Sequence, residues 1–215
     1  QHTFYQPPML STLARWRAAA PPDFEFTIKA WQLITHAPRS PTYRRLRRPI
    51  PAEARDRYGS FRPSEEVQDA WRVTLDCARA LRATAIVFQC PASFTPEAEH
   101  VDNLRRFFRR IRRQAGKIRL AWEPRGSWPR ELVDDLCAEL GLVWVPVDPL
   151  REAPPAGPWR YFRLHGGPGV QYGHAYTPAE LRGLLALRGE TTYYLFNNSA
   201  MREDAVRFEK LAASA

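Results

Sequence analysis

Polar side chains recur at the ends of the short apolar segments of this 215-residue chain. The set combines cations, one carboxylate, one imidazole and carboxamides, and its members are Lys29, Gln89, Glu123, Arg125, Arg163, His165, Asn197 and Asn198. Lysine and arginine bind phosphate and carboxylate groups, arginine through a planar fork of N–H donors. A carboxylate and an imidazole can hold opposite protonation states near neutral pH, which suits acid–base catalysis. These residue types indicate an anion site with an acid–base pair.

The expected roles follow from the chemistry of each type. Glu123 and His165 are the expected catalytic residues, one as carboxylate and one as imidazole. The other residues of the set are expected to bind the ligand, the cations by charge and the amides by hydrogen bonds; they are Lys29, Gln89, Arg125, Arg163, Asn197 and Asn198. The alternative is a structural role, in which Glu123 forms an internal ion pair with Arg163 or Lys29 at the top of the core. We favour the anion site, because four cations around one carboxylate, counting a protonated His165, leave positive charge over.

Alternation along each strand predicts which side chains share a face, because successive side chains point to opposite sides. Phe26 and Ile28 belong to the apolar face of their segment, so Lys29 lies on the opposite face. The same count separates Trp122 from Glu123. We expect the apolar faces to meet helices and the polar faces to point to the interior.

Strand-like and helix-like segments alternate along the chain with short connections. Six segments rich in β-branched and aromatic residues are expected strands: 24–31, 85–90, 118–123, 142–147, 159–165 and 192–198. Amphipathic helices are expected between them, one of them led by the Thr177–Glu180 capping box with Pro178 in its first turn. Such alternation indicates parallel strands joined by helical crossovers.

The fold class that this order favours is an α/β (β/α)₈ TIM barrel forming a single domain over residues 1–215. Residues 2–5 read as the tail of a further strand. The first strand and helix of the barrel are then expected to be missing from the sequence, whose first residue is Gln1 rather than methionine. A βαβ unit takes about 30 residues, and adding one brings the chain near the ~250 residues typical of this barrel.

Composition excludes some function classes and leaves others open. No apolar run approaches the ~18 residues of a membrane span. The three cysteines are widely spaced in apolar segments, which indicates reduced thiols and a cytoplasmic location. There is no P-loop, GxSxG motif or dinucleotide fingerprint; the turn His165–Gly169 is glycine-rich but lacks the fingerprint spacing, although its amides are candidates for an anion contact.

Net charge keeps a nucleic-acid partner as the alternative to a small anion. The chain carries a formal charge of +9, with an arginine run at 44–48. The nearby aromatics Tyr43, Tyr58 and Phe61 are suited to stacking on bases, and the alternative for them is loop packing on the rim of the barrel. The second basic run, 105–119, is expected to be the solvated face of an amphipathic helix.

A divalent metal is the remaining cofactor alternative. Glu123, His165 and Asp148, with His36, supply suitable ligand types. No HExxH or clustered aspartates support such a site, and the neighbouring cations oppose it. We therefore assign no metal ligands, and the cofactor stays unknown.

Six ordered motifs give the chain a resemblance to a known family. They are Thr3-Phe4-Tyr5, Lys29 with Thr35-His36, Phe88-Gln89-Cys90-Pro91, Glu123-Pro124-Arg125 with Ser127-Trp128, Arg163-Leu164-His165-Gly166 and Phe196-Asn197-Asn198. In these the chain resembles the YecE-like family, a domain of unknown function whose fold is a TIM barrel. The resemblance adds Tyr5 and His36 to the candidate ligand-binding residues. The chain differs from the family at Cys90, where the family has proline, and it lacks the glycine-rich start of the family.

We therefore expect a TIM-barrel protein with an anion-binding pocket at the C-terminal strand ends. The expected activity is hydrolysis of a phosphate-bearing substrate, and the alternative is a nucleic-acid-binding module without catalysis. Whether the chain is an enzyme, and its oligomeric state, are left open by the sequence.

Overall fold

The computed structural model describes residues 2–167 and 170–214. It is a mixed α/β structure with parallel strands, as the alternation of segments predicts. The chain divides into two compact units, Gln1–Leu142 and Val143–Ala215. No helix in the described part of the chain is both long enough and apolar enough to cross a membrane.

The first unit carries three strands and six α-helices within its described residues. In chain order they are α1 (His2–Tyr5), α2 (Leu10–Ala19), β1 (Thr27–Lys29), α3 (Gln32–Thr35), α4 (Glu65–Leu81), β2 (Ala85–Gln89), α5 (Ala98–Ala115), β3 (Arg119–Glu123) and α6 (Arg130–Leu140). Two short 3₁₀ helices, Pro41–Arg45 and Ala52–Arg57, lie between α3 and α4. Ser64 caps α4 by accepting a hydrogen bond from the Val67 N–H.

The three strands of the first unit are parallel and neighbours in chain order. Lys29 lies opposite Val87, and Gln89 lies opposite Glu123. Phe88, on the other face of β2, contacts the rings of Trp71 from α4 and Phe108 from α5. The helices therefore cover the face of Phe88, and the polar strand ends lie on the opposite face.

The second unit repeats the strand–helix pattern. Its elements are β4 (Val143–Trp144), β5 (Trp159–Leu164), α7 (Pro178–Ala186), β6 (Thr191–Phe196) and α8 (Met201–Ala213). Strands β5 and β6 are parallel, with Arg163 opposite Leu195. Phe162 and Leu164 pack in a buried cluster with Leu184 and Phe208. The helices α7 and α8 thus cover the face that Arg163 does not share.

The expected strand at residues 2–5 is wrong, because His2–Tyr5 is the helix α1. A short aromatic run does not distinguish a strand from one buried helical turn. Here Thr3 and Phe4 are both buried, and the Thr3 hydroxyl donates to the carbonyl oxygen of Lys29 at 2.8 Å. Side-chain contacts rather than a strand ladder fix this segment.

The six other expected strands are present, but two are much shorter than expected. Only Thr27–Lys29 of the segment 24–31 and Val143–Trp144 of the segment 142–147 are strand. Phe24 precedes β1 and is 51% exposed, so it is not part of a helix-facing strand surface.

Candidate functional site

Two hydrogen-bonded pairs of polar side chains, each with one cation, lie at the carboxyl ends of β1, β2 and β3. Lys29 Nζ donates to Gln89 Oε1 at 2.8 Å. Arg125 Nε donates to Glu123 Oε1 at 2.9 Å, with the Glu123 side chain 1% exposed and the Arg125 side chain 23% exposed. The register that sets Gln89 opposite Glu123 brings these four residues to one edge of the sheet. This edge holds two cations and one carboxylate.

The motif at residues 3–5 contributes an aromatic contact to this edge. Lys29 Nζ lies 3.9 Å from the centroid of the Phe4 ring, a cation–π distance. Tyr5 is half-buried, with its carbonyl oxygen accepting from Gln32 Nε2 at 2.8 Å and its ring 4.2 Å from the Arg45 guanidinium. The sequence argument missed Phe4 as a site residue, although its place beside Tyr5 in the motif was a usable signal.

His36, which follows α3, is a strongly perturbed titratable group of this region. Its ring is buried, and Nδ1 lies 2.8 Å from the Thr35 hydroxyl. Burial, reinforced by the positive charges of Lys29 and Arg125, lowers the pKa of His36 from 6.5 to about 3. The imidazole is therefore neutral at physiological pH. Burial is the main cause, and the two cations at the strand ends add to it.

In the second unit, a neighbouring amide sets the tautomer of His165. Asn197 Nδ2 lies 3.1 Å from His165 Nδ1, and the amide nitrogen can only donate. In the neutral ring Nδ1 therefore accepts, and the proton sits on Nε2. The Tyr172 ring meets the imidazole edge-on at 5.7 Å. His165 thus has a fixed orientation and an N–H donor at Nε2.

The amide of Asn198 serves the internal structure of the second unit. Asn198 Nδ2 donates to Asp204 Oδ2 at 2.6 Å and to the His174 carbonyl oxygen at 2.8 Å. Its Oδ1 is buried and has no hydrogen-bond partner among the residues that the structure describes. Both amide hydrogens are thereby committed, so a ligand could use only the Asn198 oxygen.

Arg163 and Asp148, the other polar residues expected here, differ in setting. Arg163 is buried, on the face of β5 opposite to Phe162. Asp148 Oδ1 accepts from the Leu150 N–H at 3.2 Å, and its Oδ2 lies 3.7 Å from Arg151 Nε. Asp148 therefore stabilises its own turn. Nowhere in residues 2–167 and 170–214 do three or more His, Cys, Asp or Glu side chains form a group fit to hold a metal ion.

The glycine-rich turn after β5 is described only in part. Pro168 and Gly169 lie outside the described residues. The Gly166 N–H donates to the Tyr176 hydroxyl at 3.0 Å, so this amide has an internal partner.

The two basic runs of the sequence differ in their surroundings. On α5, Arg105 and Arg109 pair with Glu139 while Phe107 is buried, so the expectation of a solvated helix face is confirmed. The arginines at 44, 45, 47 and 48 are exposed.

Of the three aromatics near the 44–48 run, Phe61 is not accessible for stacking. Phe61 is 1% exposed and packs among the rings of Phe88, Phe94, Phe107 and Phe108, so its expected role in stacking on bases is wrong. The Tyr43 hydroxyl donates to the His36 carbonyl oxygen at 2.7 Å.

Comparisons with known proteins agree on one family. The family model described as "Protein of unknown function DUF72" matches residues 1–214. A DUF72 family protein of Thermotoga maritima MSB8 has a similar crystal structure, with a TM-score of 0.68, 24% identity and coverage of 98% of this chain and 82% of that one. A DUF72 family protein of Enterococcus faecalis V583 matches with a TM-score of 0.66, 17% identity and coverage of 96% and 80%. A comparison with proteins of curated function found no match. The resemblance to the YecE-like family is thus confirmed, and the chain belongs to the DUF72 family.

Proposed function

We propose that the chain binds a phosphate-bearing or other anionic ligand at the C-terminal ends of its parallel strands. The observation that carries the proposal is the charge at the strand ends of the first unit. Lys29 and Arg125 contribute +2 and Glu123 contributes −1, while the nearby His36 is held neutral with a pKa of about 3. These groups sum to +1, and ligand sites of α/β proteins lie at the carboxyl ends of strands.

The roles within this proposal follow from the contacts. Lys29 and Arg125 hold the anion, as does Arg163 of the second unit, and Gln89 fixes the Lys29 ammonium group. Glu123 and His165 divide the acid–base work of a hydrolase, because His165 offers a proton at Nε2 and Glu123 offers a carboxylate. Tyr5, Asn197 and Asn198 complete the ligand-binding set; of these, Asn197 orients His165.

The complete fold that accompanies this proposal is the (β/α)₈ barrel, in one domain. The parallel strand pairs and covering helices of each unit support it, as do the sequence motifs. That the polar strand ends of both units form one site stays a prediction from the sequence. A cytoplasmic location likewise stays a prediction from the cysteine content.

The test is phosphate binding by an arginine variant and a matched control. Arg125→Ala removes a cation of the site, whereas Arg106→Ala removes one from the exposed face of α5. By isothermal titration with inorganic phosphate, Arg125→Ala should weaken binding by about 1.5–3 kcal/mol, the usual value of a charge-assisted hydrogen bond. Arg106→Ala should bind as wild type does. Equal binding by both variants would contradict the proposal.

A second candidate function, nucleic-acid binding, is favoured by the exposure of the arginine run at 44–48. Phosphate-backbone contacts of this kind weaken steeply with salt. If this candidate is correct, Arg44→Ala with Arg48→Ala should reduce both the affinity for a single-stranded oligonucleotide and its salt dependence.

A further inference from the structure

A cavity of about 340 Å³ lies in the first unit, formed by loops that follow β1 and β2 and by the 3₁₀ helix Ala52–Arg57. Its polar lining includes Arg39, Arg55, Arg62, Asp56, Ser60 and Ser93. The strand-end residues Lys29, Glu123 and Arg125 are not among the residues that line it. The cavity is therefore distinct from the site of the proposed function.

We infer that this cavity binds the phosphate group of a small phosphorylated molecule through Arg39, Arg55 and Arg62. Three guanidinium groups and the carboxylate of Asp56 give the lining a formal charge of +2. A phosphate monoester carries a charge of about −1.5 to −2 at pH 7 and matches that excess. A monocarboxylate ligand would neutralise half of it. Arginine forks also suit the tetrahedral oxygens of phosphate.

The guanidinium groups of the lining have donors to spare. Arg39 and Arg55 are exposed at the mouth of the cavity and have no hydrogen-bond or ion-pair partner in the part of the chain that the structure describes. Arg62 uses one nitrogen, donating from Nη1 to the Tyr58 carbonyl oxygen at 3.1 Å. An arginine offers five N–H donors. An anion in the cavity would therefore find donors that no internal acceptor already occupies.

The wall of the cavity at Ser60 is fixed by the backbone. Gly59, Ser60 and Phe61 all have left-handed φ angles, at +77°, +50° and +53°. Their N–H groups donate, in order, to the carbonyl oxygens of Leu33, Thr35 and Ile34. A Cβ at position 59 would lie 2.2 Å from the His36 carbonyl oxygen, so only glycine fits there. The buried Phe61 ring anchors the segment from below. Because this wall is built before a ligand arrives, binding needs little reordering of the loop.

The shape of the site favours a small molecule over a nucleic-acid strand. Its volume is in the range of about 300–1,000 Å³ that small-ligand pockets occupy. Ala37, Pro38 and Pro91 give it an apolar part beside the cations, which suits the carbon skeleton of a phosphorylated metabolite. The exposed arginines 44, 45, 47 and 48 are not among the residues that line it.

Isothermal titration with ribose 5-phosphate tests the inference, with ribose as the unphosphorylated control ligand. The test variant is the double substitution Arg39→Ala with Arg55→Ala. The matched control is Arg44→Ala with Arg48→Ala, which removes the same charge from exposed positions outside the cavity. Arg125→Ala is titrated as well, because it weakens the strand-end site alone. Thermal unfolding of each variant checks that the fold persists.

We expect wild type and Arg125→Ala to bind ribose 5-phosphate, and neither to bind ribose. The Arg39/Arg55 variant should lose at least about 150-fold in affinity, the product of two charge-assisted contacts at the low end of their usual strength. The Arg44/Arg48 variant should stay within about twofold of wild type, because exposed charges that do not contact the ligand are screened by solvent and salt. Arg55→Lys, which keeps the charge and removes the fork, should fall between wild type and the double variant.

Three results would overturn the inference. One is unchanged affinity in the Arg39/Arg55 variant, and another is no binding of ribose 5-phosphate by wild type at millimolar concentration. The third is a single-stranded oligonucleotide that binds more tightly than ribose 5-phosphate and loses affinity equally in both double variants, which would assign the basic segment to nucleic acid. Loss of affinity in Arg125→Ala alone would support the strand-end proposal and reject this cavity.

Discussion

The strand ends of the two units use polar residues in different ways. In the first unit, Lys29 and Arg125 are cations in contact with Gln89 and Glu123, and together with burial, which is the larger cause, their charge lowers the pKa of His36. In the second unit, the amide of Asn197 orients His165. The first arrangement sets the electrostatic potential at the strand ends, and the second fixes the orientation of the His165 ring and of its Nε2–H donor. The comparison shows that residue types at strand ends do not by themselves give a residue's role.

Neighbouring asparagines in the second unit make the same point at closer range. Asn197 contacts the imidazole of His165, whereas Asn198 contacts the buried carboxylate of Asp204. Asp204 also accepts from the Tyr176 N–H at 3.1 Å, and Arg207 Nη2 lies 3.4 Å from its Oδ1. One asparagine therefore orients the imidazole, and the other holds the loop before α8 in place.

The largest expected effect is a loss of stability when the hydrogen bonds of Asp204 to Asn198 and Tyr176 are removed. Asp204→Ala leaves the Tyr176 N–H and the Asn198 amide buried without their acceptor. Each unsatisfied donor costs about 1–3 kcal/mol, so we expect the free energy of unfolding in urea to fall by about 4 kcal/mol. Glu203→Ala, at the exposed neighbouring position, is the control and should change it little. A loss below about 1 kcal/mol for Asp204→Ala would show that this network is not structural.

The next largest effect concerns the charges of the first unit, which the pH dependence of stability tests. The pKa of His36 is about 3 in the folded chain, against its ordinary value of 6.5, so between these pH values the unfolded state binds a proton that the folded state does not. Stability therefore falls as pH drops from about 6.5 towards 3. By linkage the His36 contribution amounts to about 3 kcal/mol between pH 7 and pH 4.

His36→Asn isolates that contribution. Urea unfolding of the variant should show a pH dependence between pH 7 and pH 4 that is shallower than that of wild type by about 3 kcal/mol. Parallel stability profiles for the two proteins would mean that His36 is not held neutral. In the single variant Lys29→Met the pKa of His36 should rise, because this substitution removes one of the two cations that lower that pKa.

The smallest of these effects concerns the carboxylate of the first unit. Glu123→Gln removes a negative charge next to Arg125 and should strengthen phosphate binding about tenfold, or about 1.4 kcal/mol. A divalent-metal site would respond in the opposite way, since losing a carboxylate ligand loses the metal. Titration with and without a chelator separates the two outcomes.

The sequence was sufficient for the elements whose pattern is periodic. The buried stripe of α5 and the alternation along β2 and β3 give the observed faces, because side-chain direction in regular structure depends only on local geometry. The ordered motifs identified the family. The prediction of a strand at residues 2–5 was wrong because a segment of four residues is too short to show a period.

Other features of the candidate site depend on tertiary contacts that no pattern encodes. The neutrality of His36 results from burial and from two cations brought there by β1 and by the segment after β3. The role of Asn198 depends on Asp204, which α8 supplies. Phe61 reads as a loop aromatic in the sequence, yet the left-handed backbone before it turns its ring into the core.

The most direct test of the central claim, that the strand ends of the first unit bind an anion, is a crystal soaked with tungstate, a tetrahedral dianion located by anomalous scattering. We predict a peak with tungstate oxygens within hydrogen-bond distance of Lys29 Nζ and of the Arg125 guanidinium. A second peak beside Arg39 and Arg55 would belong to the separate cavity. A map with no peak at Lys29 and Arg125, while the contacts of these residues to Gln89 and Glu123 persist, would contradict the claim.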